Sequence, residues 1–245
     1  MTTLPVSQKL NGRVALVTGA SAGICRATAL ALARQGAHLV VTARRAERLD
    51  ALCTQIRSLG GRAIFHAGDA ADEETSRHTI QLVLSTFGRL DILINNAGAG
   101  NYKDLVQTSA EEYDQLMDAN MRSSFLFTRH AAPVMIAEKG GIILFISSIA
   151  GLQGYAGEAI YCASKFAQVG FAQALDAELR KHNINVGVIC PGGTKTEFAL
   201  GHGRTEEYVR SSHMMEPSQV AETIVYACLQ PPNIRISQMT VRHMG

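Results

Sequence analysis

Val14-Ala15-Leu16-Val17-Thr18-Gly19-Ala20-Ser21-Ala22-Gly23-Ile24-Cys25 is the stretch that decides how this chain folds. A short apolar, β-branched run stops at Gly19, and from Ile24 to Arg34 an alanine- and leucine-rich pattern follows that closes at Gly36. The order is strand, glycine turn, helix. Gly19 permits the tight turn, and Gly23 lets the backbone approach a pyrophosphate, which accepts hydrogen bonds from the free amides at the start of the helix. Ser21 and Ile24 lie in the same turn. By itself the motif is weak, because glycine- and serine-containing connections are common in α/β proteins. Position 25 departs from the dinucleotide pattern, which has a third glycine there for close helix-strand packing. Cys25 reads as a small buried residue in its place.

The alternation repeats outward from this unit. Strands are expected at His38 to Thr42, Arg62 to His66, Asp91 to Asn95, Gly141 to Ser147, Ile184 to Cys190 and Ile234 to Val241. Helices are expected at Ala46 to Leu59, Asp72 to Phe87, from a Ser109/Glu112 capping box toward Ala137, over Ala156 to His182, and from Pro217 to about Leu229. Pro133 is expected to bend or shorten its helix. Gly201 to Met215 shows no clear period and reads as a mobile connection. Strands and helices in this rhythm imply an α/β fold, a doubly wound parallel sheet of about seven strands with helices on both faces. No linker, repeat or low-complexity tract divides the chain, so residues 1–245 read as one domain.

Composition narrows the function classes. Of the 245 residues 47% are hydrophobic and 18% charged, with 23 basic and 21 acidic side chains giving a formal net charge of +2. Disorder is excluded as the main state, and a basic nucleic-acid surface has no support. No run reaches the length of a membrane span, and the amino terminus lacks the layout of a secretory signal. The five cysteines are odd in number and have no metal-ligand or CxxC spacing, so they read as buried thiols in a reducing compartment, with the cytoplasm expected and no metal. The charged fraction lies below the usual ~25%. A large core explains part of that, and an apolar surface covered by a partner explains the rest.

Two features select a cofactor and a chemistry. The second strand ends Thr42-Ala43-Arg44-Arg45, where an acid would bind the ribose 2′-hydroxyl of NAD. Arginines there suit a 2′-phosphate, because guanidinium groups stay charged and present paired donors. The cofactor expected is therefore NADP(H). Tyr161 and Lys165 are one helical turn apart on one face, and Ser148 follows an apolar strand at the edge where parallel sheets place ligands. A phenol is a poor acid at neutral pH, and a nearby ammonium stabilises its phenolate. Ser148 is able to donate to a substrate oxygen, and Asn120 to hold a water near Lys165. Each of these residues alone has an ordinary structural reading. Their joint placement with the phosphate loop is what points to catalysis.

Taken together, Thr18-Gly19-xxx-Gly23, Asp69, Asn95-Asn96-Ala97-Gly98, Asn120, Ser148, Tyr161-Cys162-Ala163-Ser164-Lys165 and Pro191-Gly192 resemble the short-chain dehydrogenase/reductase family over nearly the whole chain. The resemblance implies hydride transfer between nicotinamide and a carbonyl or alcohol carbon, with Tyr161 as acid in reduction and base in oxidation. It implies further that Lys165 holds the nicotinamide ribose and that Asn120 links the site to a proton-relay water. Asp69 and Ala70 would meet the adenine, Asn96, Ala97 and Gly98 the adenosine side, and Thr194 and Thr196 the nicotinamide amide or phosphates, beside Pro191 and Gly192.

The substrate walls are expected at Gly98 to Tyr102, Ile149 to Tyr155 and a mobile stretch over residues 197–215, with Tyr155, Phe198, Met214 and Met215 making them partly apolar. The ending Ile234 to Arg242 lacks the glycine-rich segment usual in 3-oxoacyl-acyl carrier protein reductases. A carbonyl reductase or 3-hydroxy acid dehydrogenase is therefore expected first, the acyl carrier protein reductase second, and a non-catalytic NADP(H)-binding regulator third. The helical regions Glu111 to Ala137 and Ala156 to His182 carry Phe125, Phe127, Phe166, Val169, Phe171 and Leu175 on more than one face, which implies a homo-oligomer, dimer or tetramer.

Overall fold

Seven parallel strands make one sheet in the order β3-β2-β1-β4-β5-β6-β7 in the computed structural model, which describes residues 8–244. They are β1 (Val14–Thr18), β2 (His38–Ala43), β3 (Ala63–Ala67), β4 (Ile92–Asn95), β5 (Gly141–Ile146), β6 (Ile184–Pro191) and β7 (Gln238–Val241). The helices are α1 (Gly23–Arg34), α2 (Ala46–Ser58), α3 (Glu73–Phe87), α4 (Ala110–Met117), α5 (Ser123–Ala137), α6 (Ala159–Leu179), α7 (Glu206–Ser211) and α8 (Pro217–Cys228). β1 pairs with β2 on one side and β4 on the other, so the sheet reverses direction of growth beside β1. This reversal opens the crevice in which sheets of this type bind ligands.

Strand alternation builds a core on each face. Ala15 and Val17 of β1 join Leu32 of α1, Leu49 of α2 and Ile224 of α8, whereas Val14 and Leu16 join Val83 of α3, Phe127 of α5 and Val169 of α6. Neither face of the central strands meets water, so they need near-continuous apolar runs and little charge. No helix among the described residues is long and apolar enough to cross a membrane.

Four elements differ from the sequence expectation. The helix drawn from Ser109 toward Ala137 is interrupted at Asp118–Arg122 by a wider π turn between α4 and α5. Pro133 does not shorten α5, which continues past it to Ala137. Its ring lies on the exposed side, where the carbonyl it strips of a partner can meet water. α6 begins at Ala159 rather than Ala156, because Gly157 takes a positive φ of 73° that helix cannot accommodate. The stretch Gly201 to Met215 contains α7, whose six residues are too few to show a period but which is capped by Thr205 accepting from the Tyr208 amide. β7 occupies only the last residues of the expected strand.

Candidate active site

The phosphate loop is built so that the start of α1 stays open. Gly19 and Gly23 have φ of 70° and 57°, a region costly for residues with a Cβ. A Cβ on Gly19 would stand 3.0 Å from the Ala97 backbone, and one on Gly23 would stand 3.0 Å from the Thr196 side chain. No side chain caps α1 at Ala22 and no acid sits in its first turn. By contrast Asp72 caps α3, and Ser109 with Glu112 closes a capping box on α4. The uncapped, acid-free terminus of α1 therefore fits an anionic diphosphate, which would take up its free amides. Thr18 Oγ1 accepts from the amides of both Asn96 and Ala97 at 3.0 Å, which ties the loop after β4 to the end of β1.

At the end of β2 the two arginines part. Arg45 donates to Ser21 Oγ through Nη2 at 2.9 Å and Nε at 3.2 Å, placing its guanidinium over the phosphate loop. Its Nη1 meets Glu197 at 2.8 Å, and Arg48, in the first turn of α2, meets the same carboxylate at 2.6 Å. Hydrogen bonds from both arginines hold Glu197 below the usual carboxylate range. Arg44 is exposed. Asp69 lies at the end of the β3 edge, where its carboxylate accepts from the Ala71 amide at 2.9 Å, with Ala70 half-buried beside it. Thr194 and Thr196 follow Pro191 and Gly192 at the end of β6, the hydroxyl of Thr194 donating to the Gly192 carbonyl at 3.1 Å.

Four chemical side chains meet at the carboxyl ends of β4 and β5. Ser148 follows β5 and caps the short turn Ile149–Gly151, its Oγ accepting from the Ala150 amide at 3.1 Å. Tyr161 is buried, with the Tyr102 ring edge-on at 5.6 Å and the Phe198 ring at 5.8 Å. Burial pushes its phenol pKa up, Tyr102 adds to the rise, and hydrogen bonding with Ser148 opposes it. Lys165 stands 5.8 Å from the centroid of the Tyr161 ring and is itself buried, donating to the Ile146 carbonyl at 3.1 Å and to Gln168 Oε1 at 3.0 Å. Burial pushes its pKa down to about 8.

Asn120 sits in the π turn, a type of distortion that recurs at functional sites. Its carboxamide accepts from the Ala99 amide at 2.8 Å and donates to the Ala99 carbonyl at 3.0 Å and to Ser164 Oγ at 2.8 Å. Both of its amide hydrogens and its oxygen are thus engaged in positioning the loop after β4 against α6. The bridge from Asn120 to Lys165 is made by its main-chain carbonyl through Gln168.

A family model described as short chain dehydrogenase matches residues 13–207. The chain belongs to the short-chain dehydrogenase family. An uncharacterized oxidoreductase of Listeria monocytogenes is 32% identical over 239 residues, covering 95% of this chain and 96% of the relative. A 3-oxoacyl-[acyl-carrier-protein] reductase of Synechocystis is 33% identical over 234 residues, covering 94% and 95%. The crystal structure of a metagenomic short-chain oxidoreductase in complex with NADP superposes with a TM-score of 0.84 at 35% identity, covering 97% of this chain and 99% of that one.

In this short-chain dehydrogenase nine of the sequence-derived residues fall into two groups at the carboxyl end of the sheet: Gly19, Ser21, Gly23, Ile24 and Arg45 around α1, and Asn120, Ser148, Tyr161 and Lys165 around α6. Four participants escaped sequence reasoning. Thr18 and Ser164 lie inside the motifs but act through distant partners, Thr18 through the Asn96 and Ala97 amides and Ser164 through the Asn120 side chain. Arg48 and Gln168 lie outside them, on exposed and buried helix faces respectively. Only polar character at a core position of α6 would have marked Gln168.

Proposed function

We propose that this oxidoreductase uses NADP(H) to interconvert a carbonyl and a secondary alcohol, with ketone reduction as the principal direction. The observation that carries the reading is the buried Tyr161 phenol with the Lys165 ammonium 5.8 Å from its ring centroid and Ser148 beside it. Burial keeps that phenol protonated at neutral pH, which suits a group that gives its proton to a developing alkoxide. The Ser148 hydroxyl donates to the same oxygen, and Lys165 offsets the charge left on the phenolate. When bound, the nicotinamide supplies or takes the hydride. The free amides at the start of α1 would hold its pyrophosphate, and Arg45 with Ser21 would hold the 2′-phosphate.

Tyr102 and Phe198 form the apolar lid over Tyr161, and Arg204 stacks on both rings at 5.2 and 6.0 Å. A small ketone or 3-oxo acid entering between them excludes water from the phenol. The second reading, a 3-oxoacyl-acyl carrier protein reductase, is favoured by the Synechocystis relative. Phe125 on α5 and Phe166 on α6 are 41% and 45% exposed, and we assign this apolar surface to a second copy of the chain. A monomeric mass by light scattering at micromolar concentration would refute that assignment.

The test is Tyr161→Phe. Turnover of a ketone panel, followed by NADPH absorbance, drops about a thousandfold, while NADPH binding by calorimetry is unchanged. Near-normal turnover would sink the mechanism. Comparing a 3-oxoacyl thioester with small 3-oxo acids separates the two substrate readings.

A further inference from the structure

Bonded to the Lys165 ammonium is a polar side chain with no part in the scheme above. Gln168 is one turn beyond Lys165 on α6 and is fully buried. Its Oε1 accepts from Lys165 Nζ at 3.0 Å, and its Nε2 donates to the Asn120 main-chain carbonyl and to Ser124 Oγ, each at 2.8 Å. Ser124 Oγ in turn donates to the same carbonyl at 2.8 Å. The amide orientation follows from chemistry: an ammonium only donates, so the oxygen faces Lys165, and a carbonyl only accepts, so the nitrogen faces Asn120. Both hydrogens of the amide nitrogen are used, and so is the oxygen. An apolar residue at this position would leave the ammonium and the Asn120 carbonyl each short of a partner in a dry core.

We propose that Gln168 is the positioning residue of Lys165, a side-chain strut that ties the ammonium to the Asn120 carbonyl in the π turn and holds it under the Tyr161 ring. The strut joins three elements, α6, the π turn and the start of α5, and it spans the gap between Asn120 and Lys165 that the sequence alone assigned to a water. It rests on the reading of Tyr161 and Lys165 as the acid-base pair. The other titratable groups facing the ammonium are Tyr161 on α6, Cys190 on β6 and Cys25 on α1, and none changes in the variants below.

The test reads Lys165 directly, in protein free of cofactor and substrate. Lysine is labelled with ¹³C at Cε, the Lys165 signal is identified by its loss in Lys165→Arg, and its titration is followed by NMR. In Gln168→Met the ammonium loses an acceptor, so its midpoint falls by about one pH unit, a hydrogen bond to a charged group being worth about tenfold in the protonation equilibrium. In Gln168→Glu a carboxylate replaces the amide oxygen, and the midpoint rises. The corresponding limb of the kcat/KM profile for ketone reduction moves the same way in each variant. A purely structural glutamine would lower thermal stability and leave both midpoints where they are, and that result overturns the proposal. If Gln168→Met fails to fold, the direction of the shift in Gln168→Glu decides alone. A shifted lysine beside a fully active Tyr161→Phe would sink the reaction assigned above and the catalytic purpose of the strut with it. An unmoved lysine beside an inactive Tyr161→Phe would sink the strut only.

Discussion

The two ends of the site are held by opposite means. Around α1 the scaffold is backbone and surface: two glycines at positive φ, an uncapped helix start, and Arg45 reaching across solvent to Ser21 and Glu197. Around α6 it is a buried polar network, in which Asn120, Ser124, Ser164, Lys165 and Gln168 are all enclosed and each is bonded to at least one other or to nearby backbone. The first arrangement leaves the amides at the start of α1 free for a ligand that arrives and leaves. The second spends them on one another and so fixes a single geometry for the proton-transfer groups. Affinity should therefore be adjustable at the α1 end with little effect on stability, whereas changes at the α6 end should disturb stability and turnover together.

Lys165→Met challenges this contrast most severely. Turnover should fall at least about a hundredfold, and the stability difference from wild type should depend on pH with a defined sign. Burial depresses the Lys165 pKa in the folded protein to about 8, against an ordinary 10.5. Below pH 8 both states hold the proton, and the folded state carries the full cost of a buried charge. As pH rises from 8 toward 10.5 the folded state releases its proton first, so wild type gains stability relative to the methionine variant, by about 2 kcal/mol between pH 7 and pH 10. Urea unfolding at both pH values measures it; a difference that stays flat would mean that the ammonium is not desolvated.

Asn120→Ala comes next. It orphans the Ala99 amide and carbonyl, both held by this one carboxamide. A loss of about 2–4 kcal/mol is expected by urea unfolding, together with weaker turnover because the loop from Gly98 to Tyr102 loses its tie to α6. A loss below about 0.5 kcal/mol would show that water replaces the side chain freely, and the buried network would then be no more exacting than the surface end.

Legibility in the sequence follows the same division. β1, the turn after it and α1 are read from consecutive residues, because their hydrogen bonds and φ angles are local. The parallel, doubly wound sheet follows from the regular alternation of apolar runs and helical stretches. The π turn at Asp118–Arg122 was hidden, since α4 and α5 keep a nearly continuous helical pattern and the partners of Asn120 in the turn, Ser164 and Gln168, lie on α6, more than forty positions away. Lys165 was legible as a partner of Tyr161 from its spacing, but its bonds to Ile146 and Gln168 required the folded core. α7 was missed for another reason: one capped turn and a half of helix leaves no periodic trace.

At the α1 end, Arg45→Ala should weaken NADPH binding about tenfold, the loss of one charge-assisted contact to a phosphate, and leave NADH binding and thermal stability unchanged. Arg44→Ala should do less, because Arg45 is the arginine that turns over the loop to Ser21. Calorimetric titration of both cofactors checks this, and equal losses for NADPH and NADH would remove the 2′-phosphate assignment. The ion pairs of Glu197 with Arg45 and Arg48 are exposed, so breaking them should alter stability little.

Cys25→Gly is the smallest effect and the finest test, because position 25 belongs to both regions at once. It lies in the first turn of α1, beside the phosphate loop, yet its thiol is fully buried in the core against that face of the sheet, and burial pushes its pKa far up. A thiol that stays protonated offers a diphosphate neither charge nor a strong donor, so NADPH affinity should stay within about twofold of wild type, the contacts there coming from backbone amides. Stability should nonetheless fall by about 1–2 kcal/mol, since glycine costs helix propensity and leaves a small void where Sγ packed. Paired calorimetry and urea unfolding separate the two quantities. Loss of affinity without loss of stability would show that Cys25 acts on the cofactor, and the division between a backbone-built cofactor end and a packed core beneath it would have to be redrawn at this residue.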